Sequence, residues 1–410
     1  MEKIRDKRRI GLLTLLYAAV YFTSYISRIN FGAVVLEIVR TEGYLKSAVS
    51  MAVTVSFVTY GAGQLVSGWL GDKASPRLLI FGGLMTTAVM NGLLPFCPGP
   101  GSMAAVWGVN GFAQAMIWPP LVKIMTGVFS DEDYRRASVR VSWGSSLGTI
   151  AVYLAAPVCI LRSGWKSVFF IASAVSVLTA IVWMAAQGGM ETRASQAPAR
   201  RREEEPRRPA GGLPPGMPLT LCGIMAAIVC MGALRDGVTT WMPSFIEETY
   251  RLGSAVSILS GVILPVLSIA CFQIALWLRN RKVHNELLLS GLIFFAGAVC
   301  AALLRLTVSY QAALSAGLSA ALTGCMHGIN LLLISMIPPH FVRYGNVSAV
   351  SGVLNACTYL GSAASTCAAA FFSERFGWSA ILSVWAAAAL AGMAVCLGFA
   401  RRWERMRVKE

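Results

Sequence analysis

Two arginines, Arg28 and Arg235, sit 207 residues apart inside long apolar runs. A guanidinium at mid-membrane depth costs roughly 2.5–3.5 kcal/mol on insertion scales, so each is expected to face a protein interior or a water-filled cavity. The planar fork of arginine matches phosphate and carboxylate oxygens two at a time, so a facing pair would hold a small anion. Around the first, Tyr21–Gly32 reads YFTSYISRINFG. Tyr17, Tyr21, Ser24, Tyr25, Arg28 and Gly32 recur three or four residues apart, which assigns them to one helix face. The second arginine has Asp236 as its immediate neighbour, a carboxylate that would either neutralise it or titrate. Nothing comparable stands beside Arg28. The competing reading is that each arginine is neutralised locally and only orders the fold.

Other polar side chains in apolar surroundings are candidates for the same site. Lys123 follows Trp118-Pro119-Pro120, and Asn110, Gln114 and Trp118 share a face at four-residue spacing. On a straight helix Lys123 would point elsewhere, but the prolines disturb that register. A long lysine near a helix end also snorkels to the interface. His327 and Asn330 are helix neighbours, with a hydrogen-bonded packing role open for the histidine. Asn355 and Tyr359 would donate to a polar body or bond between helices. Gly68–Arg77 reads GWLGDKASPR, in which Asp72 and Arg77 are gating candidates, and Gln64 and Asp236 join them. The corresponding loop of the second half, Trp277–Lys282, reads WLRNRK and lacks the acid. No Ser/His/Asp set, metal-ligand cluster or phosphate-cradling glycine loop stands out, so neither an enzyme nor a cofactor is expected.

The elements that must position these groups follow from composition. Hydrophobic residues make up 56% of the 410-residue chain, charged residues 13%, and mean hydropathy is +0.63, which is a polytopic membrane protein. Ten cysteines fall singly, without a CxxC pair, and read as small core hydrophobes. Hydropathy gives twelve spans, at about 10–39, 47–70, 78–96, 102–129, 137–161, 165–186, 218–246, 254–278, 286–305, 309–337, 347–372 and 377–400. The apolar N-terminal run is too long for a signal peptide and lacks a small-residue cleavage site, so it counts as the first span. With both termini cytoplasmic, the inside segments hold twenty-five basic residues and the outside loops seven, which fixes that orientation and explains the +16 net charge without nucleic acid. A plasma membrane location, that of a bacterial inner membrane, is expected. Residues 187–217 contain APARRREEEPRRPAGGLPPG, a mixed-charge, Pro/Gly-rich cytoplasmic linker between an N-terminal six-helix bundle at 1–186 and a C-terminal bundle at 218–410 that ends in a basic tail.

The two bundles repeat. Arg28 maps onto Arg235 and Ser47–Ser50 (SAVS) onto Ser254–Ser257 at an offset of 207. Later, Leu147-Gly148 and Gly164-Trp165 map onto Leu360-Gly361 and Gly377-Trp378 at an offset of 213, implying six inserted residues around spans nine and ten. Under that shift Ser138, Ser142, Ser145, Ser146 and Thr149 fall on Ser351, Asn355, Thr358, Tyr359 and Ser362. A parallel duplication relates its halves by an axis along the membrane normal and sets the substrate site at mid-membrane between them. The expected fold is all-α, with twelve transmembrane helices in two six-helix bundles about a pseudo-two-fold axis.

GWLGDKASPR resembles the G-x-x-x-D-[RK] loop signature of the major facilitator superfamily. Within it, SRINF around Arg28, YGAGQLVSGWLGDKASPR at Tyr60–Arg77, GFAQAMIWPPLVK at Gly111–Lys123 and LRDGVTTWMPSFIEE at Leu234–Glu248 resemble the organophosphate:phosphate antiporters, the glycerol phosphate and hexose phosphate carriers. The resemblance implies that Arg28 and Arg235 bind phosphate, that Lys123 is the basic residue after W-P-P, and that Asp72 helps latch the cytoplasmic side. Gln64 stands where that family commonly has a lysine, Ser145 and Ser146 where a histidine is expected, and Asp236 is an unusual neighbour. Those departures leave room for a less charged organic anion. The expected activity is alternating access that exchanges a phosphorylated metabolite for phosphate, by a monomer in lipid. Closing an empty cavity would press two cations together, at about 4 kcal/mol for 4 Å and an effective dielectric of 20, so only loaded carriers would switch. Proton-coupled symport through Asp236 is the alternative of the same class, and a membrane sensor of sugar phosphate the alternative of another.

Overall fold

The computed structural model describes residues 4, 6–194, 216–337, 340–341 and 347–408; some side chains within its helices, that of Asp72 among them, lie outside the described set. Fourteen α-helices among these residues make twelve crossings. In the first half they are α1 (Lys7–Glu42), α2 (Lys46–Lys73), α3 (Pro76–Leu93), α4 (Pro100–Ala115), α5 (Trp118–Val128), α6 (Asp131–Ser163) and α7 (Lys166–Ala194). The second half has α8 (Met217–Tyr250), α9 (Ser254–Ser260), α10 (Ile263–Arg281), α11 (Glu286–Thr307), α12 (Ala312–Asn330), α13 (Val347–Phe376) and α14 (Trp378–Val408). Residues 195–215, most of the expected linker, lie outside the described residues, and α7 runs eight residues past 186.

Local chemistry sets the boundaries. Asp6 caps α1 by accepting from the Arg8 amide at 3.0 Å, and Asn285 caps α11 by accepting from the Leu287 and Leu288 amides. Pro76 and Pro100 open α3 and α4, where a missing N–H removes nothing. The fourth crossing breaks between α4 and α5 because Pro119 and Pro120 cannot donate to the preceding turn, which tightens instead through Met116 N–H to Ala113 and Ile117 N–H to Gln114. Between α9 and α10 the eighth crossing breaks at Gly261, whose carbonyl Pro265 cannot reach with a hydrogen. Ten stretches are by themselves long and apolar enough to cross a membrane among the described residues. The broken fourth crossing and α13, rich in Ser, Thr and Gly, complete the twelve.

Packing reproduces the repeat. In the first bundle α1 pairs with α6, α2 with α4 and α3 with α7; in the second, α8 pairs with α13, α10 with α12 and α11 with α14. Counted as crossings, both halves pair first with fifth, second with fourth and third with sixth. The register repeats as well. Gly148 of α6 lies against the Phe22 carbonyl of α1, where an added Cβ would stand 2.6 Å from the oxygen. Gly361 of α13 meets the Val229 carbonyl of α8 too closely for any Cβ. These contacts are related by the two offsets, 207 for the first helix and 213 for the fifth. The bundles meet along α2 with α13, and along α6 with α9 and α10. Leu154, Leu161, Leu178, Ile181, Leu306 and Leu360 are exposed on the outer surface, the lipid side of a membrane protein.

One end of the molecule, opposite the chain termini, is sealed by polar bonds between the halves. Arg40 donates to Glu247 at 2.5 Å and to Ser254 at 2.6 Å, and Ser254 donates to Glu37. Lys46 reaches Glu248 at 2.8 Å with its ammonium 4.9 and 4.7 Å from the Trp241 and Trp378 ring centres, and Glu374 accepts from the Ser47 amide. Tyr153 of α6 donates to the Thr239 carbonyl at 3.0 Å. At the other end each half is stapled to itself. Arg77 donates to the Met184 carbonyl while Trp183 donates to the Arg77 carbonyl. The acid missing from WLRNRK is supplied later: Glu286, fully buried, accepts from Arg279 and from Trp403, both at 3.0 Å.

Candidate substrate-binding site

The sealed end roofs a central cavity of about 850 Å³, open solvent included, between the halves. Tyr25, Arg28, Gly32, Ser145, Ser146 and Thr149 line it from the first bundle, and Arg235, Asp236, Thr239, Thr240, Ser268 and His327 from the second. Both arginines therefore reach one space, as their spacing implies. Their surroundings differ.

Arg28 is held by ring faces. Its guanidinium carbon lies 4.3 Å from the Tyr25 ring centre and 5.0 Å from that of Tyr60, and it makes no ion pair among the described residues. Such contacts supply about 0.5–2 kcal/mol each and leave the N–H groups able to donate. The rings form a continuous wall: Tyr21 lies 5.1 Å from Tyr25 and 4.6 Å from Trp118, and Tyr60 lies 4.3 Å from Tyr359. Arg235 is held by a carboxylate. Its Nε and Nη2 donate to the two oxygens of Asp236 at 2.8 and 2.9 Å, and Nη1 donates to Asn330 Oδ1 at 3.0 Å. Ser362 Oγ donates to Asp236 Oδ2 at 2.6 Å, fixing the acid from α13. Three of the five guanidinium hydrogens are engaged.

The remaining candidates separate by place. His327 and Asn330 lie with the Arg235 group, and Tyr359 with the aromatic wall. Gln64 accepts from Asn355 at 3.2 Å, a bond from α2 to α13 between the bundles. Gln114 is fully buried inside the first bundle, where Ser24 donates to it at 2.5 Å, so neither lines the cavity. Tyr17, assigned by spacing to the Arg28 face, turns into the same interior against Phe129 and Trp183. That interior is polar: Ser27 bonds Ser176, and Asn30 bonds Asn91. Lys123 is exposed on α5, away from the cavity lining. Arg77 serves the α3–α7 staple, and the Asp72 side chain lies outside the described residues. The charged seal of Arg40, Lys46, Glu247 and Glu248 is not among the candidates that the sequence motifs mark. Its signal is the 207 offset, which relates Arg40 to Glu247 as it relates Arg28 to Arg235.

A cavity at the interface of duplicated bundles, sealed at one end, is the architecture of an alternating-access carrier. Among known proteins the chain is similar to the membrane sensor protein UhpC of Escherichia coli (strain K12), with 28% identity over 183 residues, 44% of this chain and 40% of that one. It is similar to the glycerol-3-phosphate transporter of Bacillus subtilis (strain 168), with 22% identity over 302 residues, 69% of this chain and 68% of that one. The fold superposes on the crystal structure of a peptide transporter in complex with sulfate at a TM-score of 0.74, with 13% identity and coverage of 96% and 95%. The family model described as Major Facilitator Superfamily matches residues 17–366. The chain is a multi-pass, all-α member of the major facilitator superfamily, a transporter family and not one of enzymes.

Proposed function

We propose that the chain carries a small organic anion across the membrane by alternating access, with Arg28 as its principal charge partner. The observation that supports this reading above others is the Arg28 guanidinium, without an ion pair among the described residues, on the wall of the interbundle cavity. A desolvated cation at that depth is unfavourable until a ligand offsets it. Hydroxyls from α6 and α8 supply neutral partners for the rest of the solute. With both termini in the cytoplasm, the sealed end is the outer one and the cavity serves the inner face. Rocking would break Arg40–Glu247 and Lys46–Glu248. A monomer contains the whole path.

Likeness to the glycerol-3-phosphate transporter supports a phosphorylated metabolite as cargo and phosphate as counter-substrate. One part of the expected mechanism changes. Asp236 already neutralises Arg235, so an empty cavity holds one net positive charge, counting His327 as neutral, and the mutual repulsion of two bare arginines does not bar its closing. That pair supports a second reading, proton-coupled symport, in which a proton on Asp236 would release Arg235 to the solute. Proteoliposomes separate the two. Exchange requires counterflow and no net uptake without an internal anion; symport gives net uptake driven by an imposed pH gradient. Arg28→Lys keeps the charge, loses the fork, and should abolish either flux. Saturable binding with no flux in any format fits a sensor instead.

A further inference from the structure

Resting on the anion-carrier reading, we propose that the Arg235–Asp236 pair makes the site selective for singly charged, hydroxylated anions, with Asp236 as the residue that sets the charge. Among the described residues, the arginine, lysine and carboxylate side chains lining the cavity are Arg28, Arg235 and Asp236. Two of them cancel. A monoanion on Arg28 therefore brings the cavity to neutrality, whereas a dianion leaves one negative charge uncompensated beside the Asp236 carboxylate.

The cancellation is built to persist. Arg235 and Asp236 are consecutive in α8, Ser362 holds the acid from α13, and Asn330 holds the arginine from α12. All four belong to the second bundle, so rocking against the first leaves their bonds intact. Arg28, by contrast, brings only ring faces from its own side. The rest of the described lining, His327 aside, is uncharged: hydroxyls of Ser145, Ser146 and Thr149 from the first bundle and of Thr239, Thr240 and Ser268 from the second, set among apolar side chains such as Val53, Phe57 and Leu264. Ser145, Thr149, Thr239 and Ser268 donate to carbonyls of their own helices, so their oxygens are left to accept from the hydroxyls of a polyhydroxy body, and they contribute no charge to balance a second anionic group.

The shared chemistry is one negative charge, carried either by a carboxylate or by a singly protonated phosphate ester. Gluconate and glucarate, the same carbon skeleton with one and two carboxylates, form the first arm, read by calorimetry on the purified protein. Wild type is expected to prefer gluconate by about tenfold or more, and Asp236→Asn to reverse the order. Glycerol 3-phosphate, whose second ionisation lies near pH 6, forms the second arm and needs no variant. Its affinity should rise as pH falls from about 8 to 5.5, following the monoanion fraction, while that of gluconate stays flat. The titratable and charged groups facing the Arg235–Asp236 pair are Arg28 and Tyr25 from α1, His327 from α12 and Tyr359 from α13. Protonation of His327 or of Asp236 itself would tighten gluconate as well, so a parallel rise for both probes overturns the proposal. Equal or tighter glucarate binding in wild type, unchanged in Asp236→Asn, overturns it too. Binding of none of the probes at any pH sinks the underlying anion-site reading instead. Recognition of a carboxylate is told from that of a phosphate ester by which arm gives binding.

Discussion

The two halves carry the same cation at equivalent positions and treat it in opposite ways. Arg28 has Ile29 beside it and tyrosine faces around it; Arg235 has Asp236 beside it, gripped by both carboxylate oxygens. Twelve residues further along each helix the contrast recurs in another form, Arg40 in the first half meeting Glu247 in the second. Duplication thus supplied a symmetric frame, and single-residue differences gave each half its own electrostatic task. The first half offers a charge to the cavity. The second half balances its own and, at the sealed end, balances one from its partner.

Removing each arginine should therefore have opposite consequences for stability. Arg235→Gln strands the Asp236 carboxylate, whose side chain is 18% exposed, and should cost about 3–5 kcal/mol. The double variant with Asp236→Asn should recover most of that loss, because no unpaired charge remains. Thermal unfolding in detergent measures both, and a double variant no more stable than Arg235→Gln would show that the pair does not carry the effect. Arg28→Gln removes a cation that has no carboxylate to strand. Its unfolding temperature should stay level or rise, while anion binding falls by about 100-fold, the loss of one desolvated charge partner. Equal destabilisation by the two substitutions would erase the distinction between the halves.

How far this was legible in the sequence depends on the kind of information. The twelve crossings and the equivalence of Arg28 and Arg235 follow from hydropathy and spacing, which act locally and repeat. Spacing also marked Tyr25, Arg28 and Gly32 as one face, but it placed Tyr17 and Ser24 there as well. A stripe of three- and four-residue steps covers more than 100° of a helix, so it has two edges, and its edge residues can face either neighbour. Ser24 and Tyr17 face Gln114 and Trp183 inside the bundle. Asp236 was visible as an alternative and not as an answer, because neighbours in sequence say nothing about whether a guanidinium bends back to its own helix. The Arg279–Glu286 staple escaped for a different reason. Its acid lies seven residues on, at the start of α11 and outside the WLRNRK stretch.

The aromatic hold on Arg28 yields a smaller expected effect. Tyr25→Phe keeps the ring 4.3 Å from the guanidinium and should change anion affinity by less than threefold. Tyr25→Leu removes the quadrupole and should weaken binding by about five- to thirtyfold, the equivalent of about 1–2 kcal/mol. Competition binding with Arg28 intact measures both. A large loss in Tyr25→Phe would show that the hydroxyl, rather than the ring face, holds the arginine or the solute.

The smallest expected effect lies at the sealed end, where the halves differ most visibly. Arg40 is 47% exposed, so neutralising Glu247 leaves the guanidinium in water rather than stranded, and the loss should be about 0–1 kcal/mol. Glu247 also accepts from Ser257 at 2.9 Å, and Lys46–Glu248 seals the same end independently. Glu247→Gln alone should therefore shift the balance between end-closed and end-open forms by no more than about fivefold. Distances between spin labels on the Gly43 and Leu252 turns, just beyond α1 and α8, would report that shift directly. Arg40→Glu, which sets a carboxylate against Glu247, should open the end further than Glu247→Gln. Should the charge reversal leave the distance distribution unchanged, the seal rests on the packing of Gly32 against Thr240 and Gly261 against Tyr153, and the complementary charges at equivalent positions follow the closure rather than drive it.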